Sequence, residues 1–387
     1  MIRRSRWQEL GVAICDQLED PKQTKTIVKR GVTELVTPGV ALNDEVLQSK
    51  ANNFLCAVHY GKKELGIAFL DVSTGEFLTA QGDVDHMDKL MQNFNPSEVL
   101  ISKPKKKNFQ EDFGNDFHTF FLEDWVFKTD YTQETLNEHF GTKTLKGFGV
   151  DHLAEGVIAA GVILHYLGET QHSKLQHITA VQRIAEDQYI WMDRFTIRNL
   201  ELYHSNAANA VTLLDIIDKT ISPMGGRTLK RWLALPLKNI AAIEKRHEVV
   251  QYFLDEPVFQ QKIQHQIKQI GDVERLISKV ATGKVCPREV IQLKNSLEAI
   301  VPIKAQASAS GNEALKVIGD TLSDCELLRT KIKETLNEEA PVNILKGNTI
   351  ADGYLDELDE LRTIAFSGKD YLDKMLERET EATGITS

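Results

Sequence analysis

The sequence predicts a multidomain fold in which an α/β part is followed by an all-α part. Three observations lead to this prediction. The chain has 387 residues, which is enough for two or three domains. Short apolar runs bounded by turn residues, the pattern of β-strands, occur before residue 174. After that point apolar residues recur at intervals of three and four, the pattern of helices.

Composition limits the class of protein and its partners. Hydrophobic residues make up 42% and charged residues 26% of the chain, which is ordinary for a globular protein. A formal net charge of -10 argues against a surface that binds nucleic acid as a whole, so DNA contact would need local basic patches. The first ten residues lack the apolar core of a signal peptide, and no run is long enough to span a membrane. We therefore expect a cytoplasmic location.

Cysteine and histidine spacing predicts no metal site. His172 and His177 are the tightest histidine pair near a boundary, but their spacing does not place both on one helix face, and no acidic residue lies between them. The cysteines form no C-x-x-C pair, so we expect reduced thiols rather than disulfides. They are Cys15, Cys56, Cys286 and Cys325.

Residues 1–42 are too short to hold a core of their own. Gly11–Cys15 predicts a small buried strand, and Leu18–Arg30 a turn followed by a short basic helix. Gly31–Val40 predicts a second strand that ends at Pro38 and Gly39. This segment is therefore interpreted as the remnant of a larger α+β domain, and residues 43–51 as a linker.

Residues 52–174 are predicted to form the α/β domain. Asn52–Tyr60 and Glu64–Ser73 are apolar runs joined by a Gly-Lys-Lys turn, which indicates a β-hairpin. The hairpin is followed by a strand, a helix, a strand, a basic loop and a largely buried helix: Gly75–Ala80, Val84–Phe94, Glu98–Ser102, Lys103–Lys107 and His152–Thr170. Three antiparallel strands, a helix and another strand suggest a ribonuclease-H-like sheet.

Residues 175–387 are predicted to be helical. Between two apolar-periodic segments, Ser222–Arg227 contains Pro and Gly-Gly, so we expect a helix to stop, turn and restart there. Another helix is expected to begin at Cys286–Glu289, with Pro in its first turn, and Gln306–Asn312 to connect two helices. Asp352 and Gly353 open a final helix with one apolar stripe and an acidic opposite side, which is typical of a packing helix.

Several blocks, in this order and at this spacing, resemble the MutS family of DNA mismatch-repair ATPases. Val12–Pro21 and Ile27–Asp44 resemble the end of its mismatch-binding domain, and Asn52–Phe77 resembles the start of its connector domain. Four further blocks resemble its helical lever domain: 194–202, 220–237, 271–283 and 352–362. The residues that carry the lever resemblance most clearly are Arg198, Asn199, Leu200, Met224, Gly225, Gly226, Arg227 and Trp232.

This resemblance implies a domain plan and a function. Residues 1–42 would be the end of the mismatch-binding domain, 43–51 a linker, 52–174 the connector and 175–387 the lever. The family binds mismatched duplex DNA as a homodimer, hydrolyses ATP with Mg²⁺ and recruits a MutL-type partner. The connector and lever would couple DNA recognition to the ATPase.

The sequence also departs from the family pattern. It contains no Phe-x-Glu mismatch wedge before Gly11 and no GxxxxGK[ST] nucleotide motif. We therefore expect a part of a protein about twice as long, with no ATPase activity, no catalytic, cofactor or metal residues, and no mismatch discrimination of its own.

Two alternative functions differ in class. An active ribonuclease-H-like nuclease would need converging carboxylates to hold two metal ions, and Asp71, Glu98 and Asp151 are the candidates. The favoured interpretation is that Asp71 caps a turn beside Ser73 and Thr74. The other alternative is a non-repair MutS relative acting as a structural or recombination factor. The mismatch-domain remnant argues against it.

Two basic clusters are candidates for weak, salt-sensitive DNA binding. The first could share one face of the short helix predicted after Pro21, and comprises Lys22, Lys25, Lys29 and Arg30. The second is on the predicted loop and comprises Lys103, Lys105, Lys106 and Lys107. Solvated surface lysines are the favoured interpretation of both clusters.

Overall fold

The computed structural model describes residues 11–19, 27–170, 174–203 and 210–383. Within these ranges an α/β part is followed by a helical part, as predicted. The strands are β1 Val12–Gln17, β2 Arg30–Val36, β3 Leu55–Tyr60, β4 Leu65–Asp71, β5 Glu76–Gly82, β6 Glu98–Ser102, β7 Thr119–Leu122 and β8 Gln182–Arg183.

Helices lie on both faces of the α/β part and make up most of the second half of the chain. In the α/β part they are α1 Val84–Phe94, α2 Lys106–Phe113, α3 Thr129–Phe140 and α4 Ala154–Glu169. The later ones are α5 Arg194–Asn199, α6 Leu213–Ile217, α7 Pro223–Ala234, α8 Ile240–Asp255, α9 Pro257–Ile267, α10 Val273–Thr282, α11 Pro287–Ser308, α12 Glu313–Thr321, α13 Glu326–Thr335 and α14 Asp356–Thr383.

The central sheet has the strand order β7-β6-β3-β4-β5-β8. The hairpin strands β3, β4 and β5 are antiparallel, while β6 runs parallel to β3 and β7 runs parallel to β6. The predicted hairpin turn is confirmed by the hydrogen bond that the Gly61 N–H donates to the Glu64 carbonyl, at 3.0 Å. The predictions for α1 and β6 are also confirmed.

Side-chain alternation along the strands builds a core on each face of the sheet. Leu55 and Ala57 of β3 pack on the α4 side, while Cys56 and Val58 pack on the α1 side. Helix α4 is buried along most of its length, as its apolar circumference predicted. It lies so close to the sheet that a Cβ atom at Gly66 would be 1.9 Å from the main-chain oxygen of Glu155.

Several local predictions were wrong. The segment Lys103–Lys107 is a 3₁₀ turn that leads into α2 rather than a loop. β1 is a strand, but most of its residues are exposed, not buried. The strand β7 and the helix α3 were not predicted, because their apolar residues follow no clear period.

The predicted turn at Met224–Arg227 is helical. Ser222 is the N-cap of α7, its Oγ accepts a hydrogen bond from the Gly225 N–H at 3.1 Å, and Pro223 begins the helix. The break between helices therefore comes earlier, around Asp218–Ser222. A capping side chain and a Pro at the first helical position together outweigh the low helix propensity of Gly-Gly.

Helix α11 is the centre of the helical part and packs against α9, α10, α12 and α13. Its predicted start is confirmed, since the Cys286 N–H donates to the Glu289 Oε2 at 2.8 Å. Among the described residues, no helix is long and apolar enough to cross a membrane. All four cysteines are free thiols, as predicted.

Helix α14 is one continuous helix of 28 residues. Its predicted apolar stripe faces solvent in the described part of the chain, because Leu361, Ile364, Leu372, Met375 and Leu376 are each at least half exposed. The expectation of a packed face is therefore not met there.

Candidate coupling junction

Arg227 is the most buried basic residue where the two parts of the chain meet, with 2% of its surface exposed. Its guanidinium donates to both carboxylate oxygens of Asp272, at 2.7 and 2.8 Å. It also donates from Nε and Nη2 to the Glu274 Oε2, at 3.1 and 2.6 Å. Nη1 reaches the main-chain oxygen of Ser49 at 2.9 Å. One side chain of α7 therefore ties the start of α10 to the linker.

Two further cations of α10 bind the linker. The Nη2 of Arg275 donates to the main-chain oxygens of Gln48 and Ala51, at 2.9 and 3.0 Å. Lys279 forms ion pairs with Asp44 of the linker and with Glu289 of α11, and these contacts raise the pKa of Lys279 against the opposing effect of burial. The linker is thus held along its length by the helical part.

Lys50 makes the reciprocal contact, from the linker to the helical part. Its Nζ is 3.1 Å from each carboxylate oxygen of Asp218 and 2.9 Å from the main-chain oxygen of Thr220. Its aliphatic stem lies against Gly226, where an added Cβ would be 2.7 Å from the Lys50 Cγ. The glycine at 226 is therefore explained by the close approach of a side chain, not by a turn.

Arg231, one helical turn after Arg227, joins the helical part to the sheet itself. Its Nη1 and Nη2 are 2.7 and 2.8 Å from the two carboxylate oxygens of Glu76, the first residue of β5. The Asn52 Nδ2 donates to Glu76 at 3.1 Å and to Asp71 at 2.9 Å. Burial, followed by the nearby charges of Asp71 and Glu274, raises the pKa of Glu76 to about 7 despite Arg231.

A second junction fixes the segment after β2 to the sheet. Glu98, which is 1% exposed, accepts hydrogen bonds from the Thr37 hydroxyl at 2.5 Å, the Gly39 N–H at 3.0 Å and the Tyr166 hydroxyl at 2.9 Å. These three donors satisfy the hydrogen-bonding needs of the buried carboxylate. Glu98 thus positions the chain that enters the linker.

The structure places the predicted lever residues in two groups. Met224, Gly225, Gly226 and Arg227 form the first turns of α7 at the junction. Arg198, Asn199 and Leu200, at the end of α5, are exposed, and Trp232 is half exposed beneath the Arg246 guanidinium, which lies 3.6 Å from its ring centroid. Met224–Arg227 does not fit a nucleotide phosphate, because Lys50 covers Gly226 and two carboxylates occupy Arg227.

The first predicted DNA-binding cluster is not brought together on a helix. Lys22 and Lys25 lie outside the described residues. Lys29 precedes β2 and Arg30 begins it, so the predicted helix face is wrong for these two residues. Both are exposed, and the Lys29 Nζ is 3.6 Å from Glu19.

The second basic cluster is partly engaged in the fold. Lys103 pairs with Glu123, and the amines of Lys105 and Lys106 lie 5.8 and 5.0 Å from the centroids of the Tyr60 and Phe121 rings. These contacts favour the interpretation of structural and solvated lysines.

The proposed nuclease carboxylates are separated and engaged. Asp71 is the last residue of β4. It accepts hydrogen bonds from the Ser73 N–H and hydroxyl and from Asn52 and Asn53, which fits the predicted turn cap. Within the described ranges, no group of three or more His, Cys, Asp or Glu residues could hold a metal ion.

The two histidines considered as a metal pair are His172 and His177. His172 lies outside the described residues. The His177 Nε2 is 2.8 Å from the Val72 carbonyl, and burial lowers the pKa of His177. This ring holds the end of β4 in place.

Sequence reasoning missed Lys50, Glu76, Glu274 and Arg275 as junction residues. The block GDVER did contain two carboxylates and an arginine in a helix start, which was a signal for ion pairing. Their partners, however, lie far away in the sequence, as in the pair of Lys50 and Asp218, which are 168 positions apart.

The fold and the junction together define a multidomain protein in which a helical part is joined to an α/β part by the Arg231–Glu76 ion pair and by hydrogen bonds to the segment that precedes β3. Three family models match the chain: MutS domain I over residues 7–45, MutS domain II over 53–179 and MutS domain III over 195–383. The chain belongs to the MutS family.

Curated relatives are similar over almost the whole chain. The DNA mismatch repair protein MutS of Christiangramia forsetii is 68% identical over 97% of this chain and 43% of the relative. The proteins of the same name from Flavobacterium psychrophilum and Parabacteroides distasonis are 67% and 55% identical, over 98% and 97% of this chain and 44% and 43% of the relatives. The chain spans less than half the length of these relatives.

Proposed function

We propose that this chain supplies the connector and lever of a DNA mismatch repair protein, and that it couples DNA recognition to an ATPase. One observation carries the proposal: the buried Arg227 fork that joins the linker, α7 and α10. A contact of this kind is suited to coupling, because the planar guanidinium cannot follow one partner without changing its geometry toward the others. Coupling also requires the packed elements to have discrete alternative arrangements.

The proposed domain boundaries are 1–42 for the end of the mismatch-binding domain, 43–51 for the linker, 52–174 for the connector and 175–387 for the lever. The hydrogen bonds and the ion pair that cations of the helical part form with residues 43–51 support a linker in this position. The strand order β5-β4-β3-β6-β7, with only β4 antiparallel to its neighbours, supports a ribonuclease-H-like connector.

For the whole protein, we propose the activities that the family resemblance implies. These are binding of mismatched duplex DNA as a homodimer, ATP hydrolysis with Mg²⁺, recruitment of a MutL-type partner and action in the cytoplasm. The relatives are named as DNA mismatch repair proteins, which supports the repair function.

The coupling role is tested in the full-length Christiangramia forsetii relative. Replacing the residue that corresponds to Arg227 by methionine should leave G·T-mismatch binding and basal ATP hydrolysis measurable while abolishing the change in ATPase rate that the mismatch causes. The matched control alters the position of Arg288, an exposed arginine at the start of α11. An unchanged mismatch response in the first variant would exclude the proposed coupling role.

DNA binding by this chain itself is tested by fluorescence anisotropy with G·T-mismatched and matched duplexes across a salt series, with and without ATP. We expect equal, weak binding that ATP does not alter. If Lys22, Lys25, Lys29 and Arg30 contact phosphates, replacing Lys29 and Arg30 by alanine should reduce the slope of log affinity against log salt by about 2. An unchanged slope would remove these two residues from the interface.

A further inference from the structure

The junction between sheet and helices holds one more carboxylate than guanidinium. The acidic groups are on β4, β5 and the start of α10, and the basic groups are on α7 and α10. They are Asp71, Glu76, Asp272 and Glu274 on one side, and Arg227, Arg231 and Arg275 on the other.

Because of this excess of negative charge, Glu76 is the carboxylate of the junction whose ionised form is disfavoured. Its side chain is 14% exposed. The Asp71 carboxylate lies at most about 6 Å away, because one Asn52 nitrogen donates to both groups, at 2.9 and 3.1 Å. A like charge at this distance, in a partly dry site, disfavours the ionised form of Glu76.

The surrounding charged groups compensate a negative charge on Glu76 only in part. Arg231 is the cation in direct contact with Glu76, and it is 41% exposed, so water weakens its attraction. Glu274 faces Glu76 from α10 but is bound to Arg227, which also binds Asp272. On the sheet side, His177 lies near Asp71, and burial lowers its pKa, which disfavours a compensating positive charge.

We propose that docking of the connector onto the lever takes up a proton at Glu76, so that the junction is tighter at mildly acidic pH than at alkaline pH. This inference adds a form of regulation to the proposed coupling role and rests on that role for its functional meaning. The raised pKa of Glu76, about 7, agrees with the geometry.

The direction of the pH dependence follows from linkage. The ordinary pKa of this carboxyl is 4.5 and its pKa in the folded protein is about 7, so between these values the folded chain holds a proton that the unfolded chain releases. The contribution of Glu76 to stability therefore falls as pH rises from about 4.5 to about 7, and is constant above that range.

The test is thermal unfolding of the full chain and its Glu76→Gln variant from pH 5 to pH 8.5. Glutamine resembles the protonated carboxyl, so we expect equal Tm values at pH 5 and a Tm for the variant about 2–4 °C higher at pH 8. The exposed Glu134→Gln change serves as the matched control and should show no pH-dependent difference. A variant less stable at pH 8, or a difference independent of pH, would overturn the proposal.

A second variant separates proton uptake from a purely structural role. Arg231→Met removes the cation that favours the ionised form of Glu76, so the midpoint of the pH dependence should move to higher pH, whatever the absolute Tm. An unchanged midpoint would count against uptake at Glu76. These outcomes are independent of the mismatch-dependent ATPase test, so the failure of one proposal is distinguishable from the failure of the other.

Discussion

Arg227 shows how a single residue can hold three segments of chain together. Its planar fork donates five hydrogen bonds to Asp272, Glu274 and the Ser49 carbonyl. Lysine cannot reproduce this arrangement, because an ammonium has three donors and no fixed plane. The residue type at 227 is therefore set by geometry as much as by charge.

Replacing Arg227 by methionine should destabilise the protein strongly. The change leaves Asp272, which is 18% exposed, without its main cation, and removing one partner of a buried ion pair costs about 3–5 kcal/mol. Urea unfolding followed by circular dichroism measures the loss. The exposed Arg288→Met change should have little effect, and a similar loss in both variants would contradict the role assigned to Arg227.

At Gly226 we expect substitution by alanine to destabilise the protein, which is the reverse of its usual effect in a helix. Alanine normally stabilises a helix by about 0.5–1 kcal/mol relative to glycine, and we expect that gain for Gly368→Ala in α14, where nothing lies within 4 Å of the added Cβ. At Gly226 the new Cβ meets the Lys50 stem at 2.7 Å, so Gly226→Ala should cost about 1–3 kcal/mol. Chemical unfolding of both variants makes the comparison, and a gain at Gly226 would refute the contact.

At the scale of single elements, strong local patterns were predictable and weak ones were not. The apolar runs of β3 and β4 reflect burial on both faces of the sheet, and the period of 3.6 in α1 reflects burial of one helix face, so the sequence displays these elements directly. The strand β7 has only four residues, and α3 buries few side chains, so neither displays a period. The turn predicted at Gly225 and Gly226 was wrong because the capping side chain of Ser222 outweighs the low helix propensity of the two glycines.

Helix α14 should be the least protected long helix in the described part of the chain. Its large apolar side chains are mostly exposed, whereas those of α4 are buried in the sheet core. Helices without packing partners open easily. Amide hydrogen exchange should therefore give lower protection factors for α14 than for α4. Equal protection in the two helices would show that α14 has a packing partner in solution.

At the scale of the whole molecule, the fold class was predictable but the coupling junction was not. The division into an α/β part and a helical part depends on local periodicity, which can be recognised within a short window of the sequence. The junction depends on pairs such as Lys279 with Asp44, which are 235 residues apart. Charge spacing along the chain carries no information about such partners. The Glu76 carboxyl, with its pKa of about 7, could be recognised only after the sheet and the helices were placed together.

The hydrogen bonds that hold the main chain of the linker have a consequence for mutational tolerance. Arg227 and Arg275 bind the main-chain oxygens of Ser49, Gln48 and Ala51, and every amino acid supplies such an oxygen. These hydrogen bonds therefore depend little on which side chains occupy the three positions. In a library of random substitutions, we expect positions 48, 49 and 51 to accept many residues while 227 and 275 accept almost none. These three positions can thus change in sequence while the path of the segment through the molecule stays the same.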